Sequence, residues 1–166
     1  MADPIVELYR GGRDQHGRSL EDMWEYDHVA LEEHHDFIQF LFPSDQPSMF
    51  QDAPLVTAET RAAFAADAAL RANLGRSLDV MLNFYGLRYD HTTARVERGD
   101  NFAKRAKNWL AAPNHNFLRV TRILRSLTLL GLPDRAEALL ACLEELNREY
   151  GAAIGDSVRY WRGAVS

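Results

Sequence analysis

Apolar side chains recur at three- and four-residue steps along most of this chain, the period of helices that each bury one face. The clearest run is Phe117, Val120, Ile123, Leu124, Leu127 and Leu130. Fully buried, such side chains contribute about 1.5–3 kcal/mol each. Asn114 or Asn116 suits the N-cap, because a short amide oxygen accepts from the free N–H groups of a first turn. Pro113 fits the turn before it. Gly131, followed by Leu132 and Pro133, is a stop signal. Arg119, Arg122 and Arg125 stand three apart and form a basic stripe on the same helix.

The same reading places the other elements. Ile5 to Tyr9 alternates like a short extended arm, broken by Gly11-Gly12. Ser19-Leu20-Glu21-Asp22 resembles a capping box opening a short helix. Asp27 caps a helix from about His28 to Phe40, with Leu31, His34, His35, Ile38, Leu41 and Phe42 on one face. Pro43 and Pro47 end it in a loop. Met49 to Leu55 is apolar but irregular, an ordered loop over the core. Thr57 caps a helix over 58–66, and Asp67 caps another to Tyr85, stopped by Gly86. Residues 87–100 show no clear period and read as a loop. Further helices are expected over 101–111, 133–150 and 153–163. The expectation is all-α: a single globular domain, residues 1–166, of about six or seven helices with a short extended N-terminal arm.

Charge changes this picture in one respect. The net charge is −5, but residues 95–125 hold eight basic groups against two acids. Residues 1–36 hold ten acids against three arginines. Either the acidic first third packs on the basic segment and neutralises it, or the basic surface meets an anionic partner. The lone Cys142 forms no intramolecular disulfide and sits among leucines, so it reads as a small core residue. No apolar run approaches the ~20 residues that span a bilayer. The N-terminus lacks the pattern of a signal peptide. The default is a cytoplasmic protein.

Chemistry-bearing residues are few. His28, Glu32, His35 and Asp36 fall at helical steps, and a carboxylate–imidazole pair is what acid–base work needs. The helix spacing of zinc sites is absent, and no metal or cofactor is called for. Asn114-His115-Asn116 opens a helix, where free N–H groups favour an anion or carboxylate. Lys104, Arg105, Arg119 and Arg122 would add positive charge there. No nucleic-acid motif stands in the basic segment, and its aromatics follow core periodicity, so nucleic acid is not the expected partner. There is no phosphate-binding glycine loop and no nucleophile elbow. Tyr9, Trp24, Tyr26, Phe37, Phe40, Phe42, Phe50, Phe84 and Tyr85 make the first half aromatic-rich, suited to a core or to a groove for an apolar side chain.

From about Leu8 to Trp161 the chain resembles the conserved domain of the opioid growth factor receptor family. The segments that carry this are Leu8-Tyr9-Arg10 with Leu20-Glu21-Asp22-Met23, the run Leu31 to Pro43, Ala53-Pro54-Leu55, Met81 to Leu87, Asn101 to Arg105, and the helix ending at Leu132. Phe40 stands where that family usually has Trp. The resemblance implies a helical domain and a receptor role toward a peptide. Animal members are described as receptors for met-enkephalin, associated with nucleus and membranes. Alanine-rich composition and the excess of Arg over Lys suggest a short bacterial member.

The leading expectation is therefore a non-enzymatic domain that binds a peptide or small anionic ligand. Its candidate residues are His35, Asp36, Lys104, Arg105, Asn114, His115, Asn116, Arg119 and Arg122. One alternative is an enzyme using His35 or His115 with Asp36. Another is a structural or interaction domain. The sequence sets no oligomeric state.

Overall fold

The computed structural model describes residues 2–47, 52–112 and 114–166. Ten helices and one β-hairpin occur among them. The helices are α1 (Pro4–Tyr9), α2 (Leu20–Trp24), α3 (His28–Glu33), α4 (Ile38–Leu41), α5 (Ala58–Ala66) and α6 (Ala68–Tyr85). After the strands β1 (Leu87–Asp90) and β2 (Arg95–Arg98) come α7 (Phe102–Trp109), α8 (Asn116–Leu129), α9 (Pro133–Ile154) and α10 (Ser157–Ala164).

The mostly helical reading holds; the strictly all-α reading and the count of six or seven do not. Three local corrections account for the hairpin and for two of the added helices. Ile5 to Tyr9 is not an extended arm but α1. Asp3 accepts from the N–H groups of Ile5 and Val6, and Pro4 supplies the preset φ of a first helical position. The helix expected from His28 to Phe40 breaks into α3 and α4, because His34 is extended (φ −78°, ψ 126°). His34 and His35 are consequently exposed rather than part of an apolar face.

Residues 87–100 are not a loop. β1 and β2 pair antiparallel, Leu87 opposite Arg98 and Tyr89 opposite Val96. Leu87, Tyr89 and Val96 share the inward face, as the two-residue period of a strand requires, while Arg98, opposite Leu87, is exposed and pairs with Glu149. The connecting turn ends at Ala94 with φ 57°, where glycine or asparagine would have signalled a hairpin.

Most other boundaries fall where caps place them. Ser19 and Asp22 exchange both hydrogen bonds of a capping box. Thr57 and Asp67 cap α5 and α6 with their side chains. Gly86 ends α6 at φ 79°, and a Cβ there would stand 2.7 Å from Phe102 Cα. Only glycine meets both demands. α9 runs past the expected stop at Gly151 to Ile154, with a kink at Tyr150. Part of the loop expected over Met49 to Leu55, and Pro113, lie outside the described residues.

Packing centres on two helices. α6 is flanked by α1, α2, α5 and α7, while α8, α9 and α10 pack on one another. The hairpin bridges them, β1 against α6 and β2 against α9. A run of edge-on and tilted aromatic contacts crosses the seam, from Phe84 to Tyr85, Trp109, Phe117 and Trp161. Both indoles are satisfied, Trp109 donating to the Tyr85 carbonyl at 2.9 Å and Trp161 to the Phe117 carbonyl at 3.0 Å. Buried aromatics with a met N–H give area without an orphan donor. Cys142 is buried, as the leucines around it led one to expect, and burial pushes its thiol up to about 11.

Candidate functional site

The arginines of α8 point toward the segment from Leu31 to Asp45. Arg119 donates from Nη1 to the Leu31 carbonyl and from Nη2 to the His34 carbonyl, each at 2.7 Å. Its guanidinium lies 5.4 Å from the Phe37 ring centre, and only 6% of the residue is exposed. Three residues on, Arg122 donates to the Phe42 carbonyl at 3.0 Å. One further turn on, Arg125 forks onto Asp45, Nη2 to Oδ2 at 2.8 Å and Nε to Oδ1 at 3.2 Å. The stripe thus fastens the ends of α3 and α4 and the loop beyond. A helix end presents free carbonyls and a negative dipole end, so a cation there is favourable. The acidic first third does pack on the basic segment, but it offers Arg119 backbone carbonyls rather than carboxylates.

Desolvation leaves its mark. Burial lowers the guanidinium pKa of Arg119 and Arg122 from the ordinary arginine value. Arg125 is shifted the other way by its hydrogen bond with Asp45, which in turn holds Asp45 below the usual carboxylate value.

A polar corner adjoins Arg119. Asn116, with no exposed surface, accepts from the Tyr85 hydroxyl at 3.2 Å and donates from Nδ2 to Glu32 Oε2 at 3.2 Å. His115 Nε2 stands 3.4 Å from the other Glu32 oxygen. The His35 ring packs edge-on against His115 at 5.5 Å. Asn114 orders the start of α8 by accepting from the Asn116 N–H at 2.9 Å, and it donates to the Asn108 carbonyl at 3.0 Å. Burial depresses the His115 imidazole, Glu32 opposes this, and Arg119 and His35 add to it.

The predicted residues therefore divide. His115, Asn116 and Arg119 converge on Glu32, with His35 and Asn114 at the margin. Asp36 does not join them: it pairs with Arg18 at 3.1 Å, so His35 and His115 lack it as an acid–base partner. Arg105 lies on the far side of Glu32. It donates from Nε to the Phe84 carbonyl at 2.7 Å, and its guanidinium stands 4.7 Å from the Phe84 ring centre. Burial lowers its pKa. Lys104 is exposed and, among the described residues, has no carboxylate within 4 Å. Arg122 belongs to the α4 end and not to the corner.

Beside Glu32 the surface opens into a cleft of about 250 Å³ between α3 and α7, lined by His28, Val29, Glu32, Glu33, Arg105 and Asn108. His28 is held by Asn83 at 2.9 Å. The Asn108 Nδ2 is buried and has no partner among the described residues. Val29 is 63% exposed. Sequence reading missed Val29, Glu33 and Asn108. The available signal was Val29, an apolar residue two positions before Leu31 and so off the buried face of a helix.

The sequence model of the opioid growth factor receptor (OGFr) conserved region matches residues 13–164. The chain belongs to this family. It is 38% identical to the opioid growth factor receptor of Homo sapiens over 156 residues, covering 90% of this chain and 23% of that protein. With the Mus musculus receptor the identity is 40% over 120 residues, 70% of this chain and 19% of the relative. The opioid growth factor receptor-like protein 1 of Mus musculus is 37% identical over 109 residues, 65% of this chain and 23% of the relative. The chain thus spans about a fifth of the length of these relatives. No solved structure matches it. The OGFr match begins after α1 and takes in every residue of the corner, the cleft and the arginine row. Among the described residues, no helix of this OGFr domain is long and apolar enough to cross a membrane.

Proposed function

We propose that the chain acts as one soluble, non-enzymatic binding domain and that the α3–α7 cleft is the seat of a short peptide. The observation that carries this reading is the open cleft itself, where Val29, Glu32, Glu33 and Arg105 stand beside Asn108, whose buried Nδ2 has no partner among the described residues. An unmet buried donor costs about 1–3 kcal/mol, and a turn of the Asn108 side chain toward the cleft would let a peptide carbonyl satisfy it. The other walls suit the rest of such a ligand. Val29 offers an apolar surface, Glu32 and Glu33 suit an ammonium, and Arg105 with the nearby Lys104 suits a carboxylate. Asn116 and His115 act behind the cleft by holding Glu32, His35 and Asn114 support those two, and Arg119 acts by fixing the end of α3. Relatives named as receptors support a recognition role for the domain.

The test is a thermal-shift series with free tripeptides carrying one apolar side chain, and with the same tripeptides blocked at either end. Free tripeptides should raise Tm and blocked ones should raise it less. Val29→Ser and Glu33→Gln replace exposed side chains, so they should keep the unliganded Tm and lose the response. Equal stabilisation of wild type and both variants, or none of wild type, would count against the cleft.

A further inference from the structure

A second surface lies where α8 meets α10, with Ser44 and Gln46 of the loop after α4 at its rim. Leu118 and Tyr160 are 74% and 68% exposed, two of the four large apolar side chains so exposed among the described residues. Both line one groove of about 430 Å³, with Arg122, Arg125, Arg159 and Gly163. From Leu118 to Arg125 the α8 wall is a row at i, i+4 and i+7, about 10 Å or two turns long. Glycine at position 163 keeps the facing ridge of α10 low, which lets another backbone approach.

The charge of this groove is one-sided. Three guanidinium groups line it and, among the described residues, no carboxylate does. Asp45 neutralises Arg125. Arg122 bonds the Phe42 carbonyl, and among the described residues neither Arg122 nor Arg159 has a carboxylate within 4 Å. Apolar anchors beside unneutralised cations fit an occupant that is apolar on one face and acidic on its flanks. A trough two turns long, walled by α8 and α10 with Ser44 and Gln46 at its rim, fits a helix better than an extended strand, since it offers no open sheet edge.

We propose that the α8–α10 groove docks an acidic amphipathic helix of a partner protein. This surface shares no lining residue with the peptide cleft, and the inference does not rest on that reading. The apolar face of the helix lies on Leu118 and Tyr160, and its Asp or Glu side chains reach Arg159 and Arg122. Desolvation of Arg122 strengthens that attraction, because the same charge acts through less water.

The experiment uses the whole chain, isotope-labelled, and four synthetic helical peptides with identical apolar positions. Their flanks run from four glutamates to four lysines. A single-stranded oligonucleotide of the same charge as the acidic peptide serves as control. Affinity by fluorescence anisotropy should rise with negative flank charge and fall with added salt. Amide shifts should gather on residues 118–125 and 157–164. Arg159→Glu and Leu118→Ser change exposed positions, so both should stay folded by their amide spectra and each bind at least about tenfold more weakly. Three results would each overturn the proposal. They are affinity indifferent to flank charge, oligonucleotide binding as tight as the acidic peptide, and no binding by a folded wild type. Shifts produced by self-association without peptide would point to a second copy instead and would also overturn it.

Discussion

The Arg119 guanidinium, on α8, holds the Leu31 carbonyl at 2.7 Å across 88 positions of sequence. With its second bond to His34, it satisfies the end of a six-residue helix that α3 could not keep by itself. Helices this short are unstable alone and depend on tertiary contacts. A residue that reads as a candidate anion ligand is here the fastener of the element that carries Glu32.

Arg119→Ala should therefore cost stability out of proportion to a single surface arginine. Charge-assisted hydrogen bonds are worth about 1.5–3 kcal/mol each, so the loss of two predicts about 3 kcal/mol or more. For a chain of this size that is about 10 °C in Tm. Arg119→Lys should recover less than half, because an ammonium does not reproduce the planar fork that bridges two carbonyls. Urea denaturation of the three proteins measures both numbers. An Arg119→Ala loss within about 0.5 kcal/mol, typical of plain surface sites, would mean that these bonds do not form in solution.

Gly86→Ala tests the junction between α6 and the hairpin. The new methyl would face Phe102 Cα at 2.7 Å, on a backbone held at φ 79°. Either demand alone costs about 1 kcal/mol; together they predict at least 2 kcal/mol, read from the denaturation midpoint. Gly163→Ala is the internal control, since a Cβ there meets nothing within 4 Å.

How much of this could be read beforehand depends on where the information lay. Caps and stops are local, so Ser19, Thr57, Asp67 and Gly86 marked helix ends correctly. The periodic apolar faces of α6, α8 and α9 are local too. α1 was missed because a five-residue alternation outweighed the Asp3-Pro4 start signal. The break at His34 has no local breaker residue; it is fixed by Arg119, 85 positions away. The hairpin hides because only Leu87 and Val96 are fully buried in it and Ala94 takes the turn. At the corner, Asn116 and His115 were legible as polar groups at a helix start. Glu32 was legible as a carboxylate near His28, His35 and Asp36, but not as the partner of His115 and Asn116. Val29 and Asn108 acquire meaning only when α3 and α7 face each other.

The pH response follows from His115. Burial, the leading cause, places its folded pKa below the ordinary 6.5. As pH falls through 6.5 the unfolded chain binds this proton first, so stability falls with acidification and levels off below the folded pKa. The side chain is 45% exposed, so the effect is modest. Wild type should lose stability as pH falls through and below 6.5, and His115→Gln should lose less. A side-chain NMR titration of His115 gives the midpoint directly. A midpoint above 6.5 would show that the Glu32 carboxylate outweighs burial.

Arg119 is spent inside the molecule, holding the segment that shapes the cleft. Hydrogen exchange of Arg119→Ala against wild type, resolved by peptide, measures this. Exchange should quicken over residues 28–45 and stay unchanged in α9 and α10. Unchanged exchange over 28–45, or a uniform rise through all helices, would contradict it.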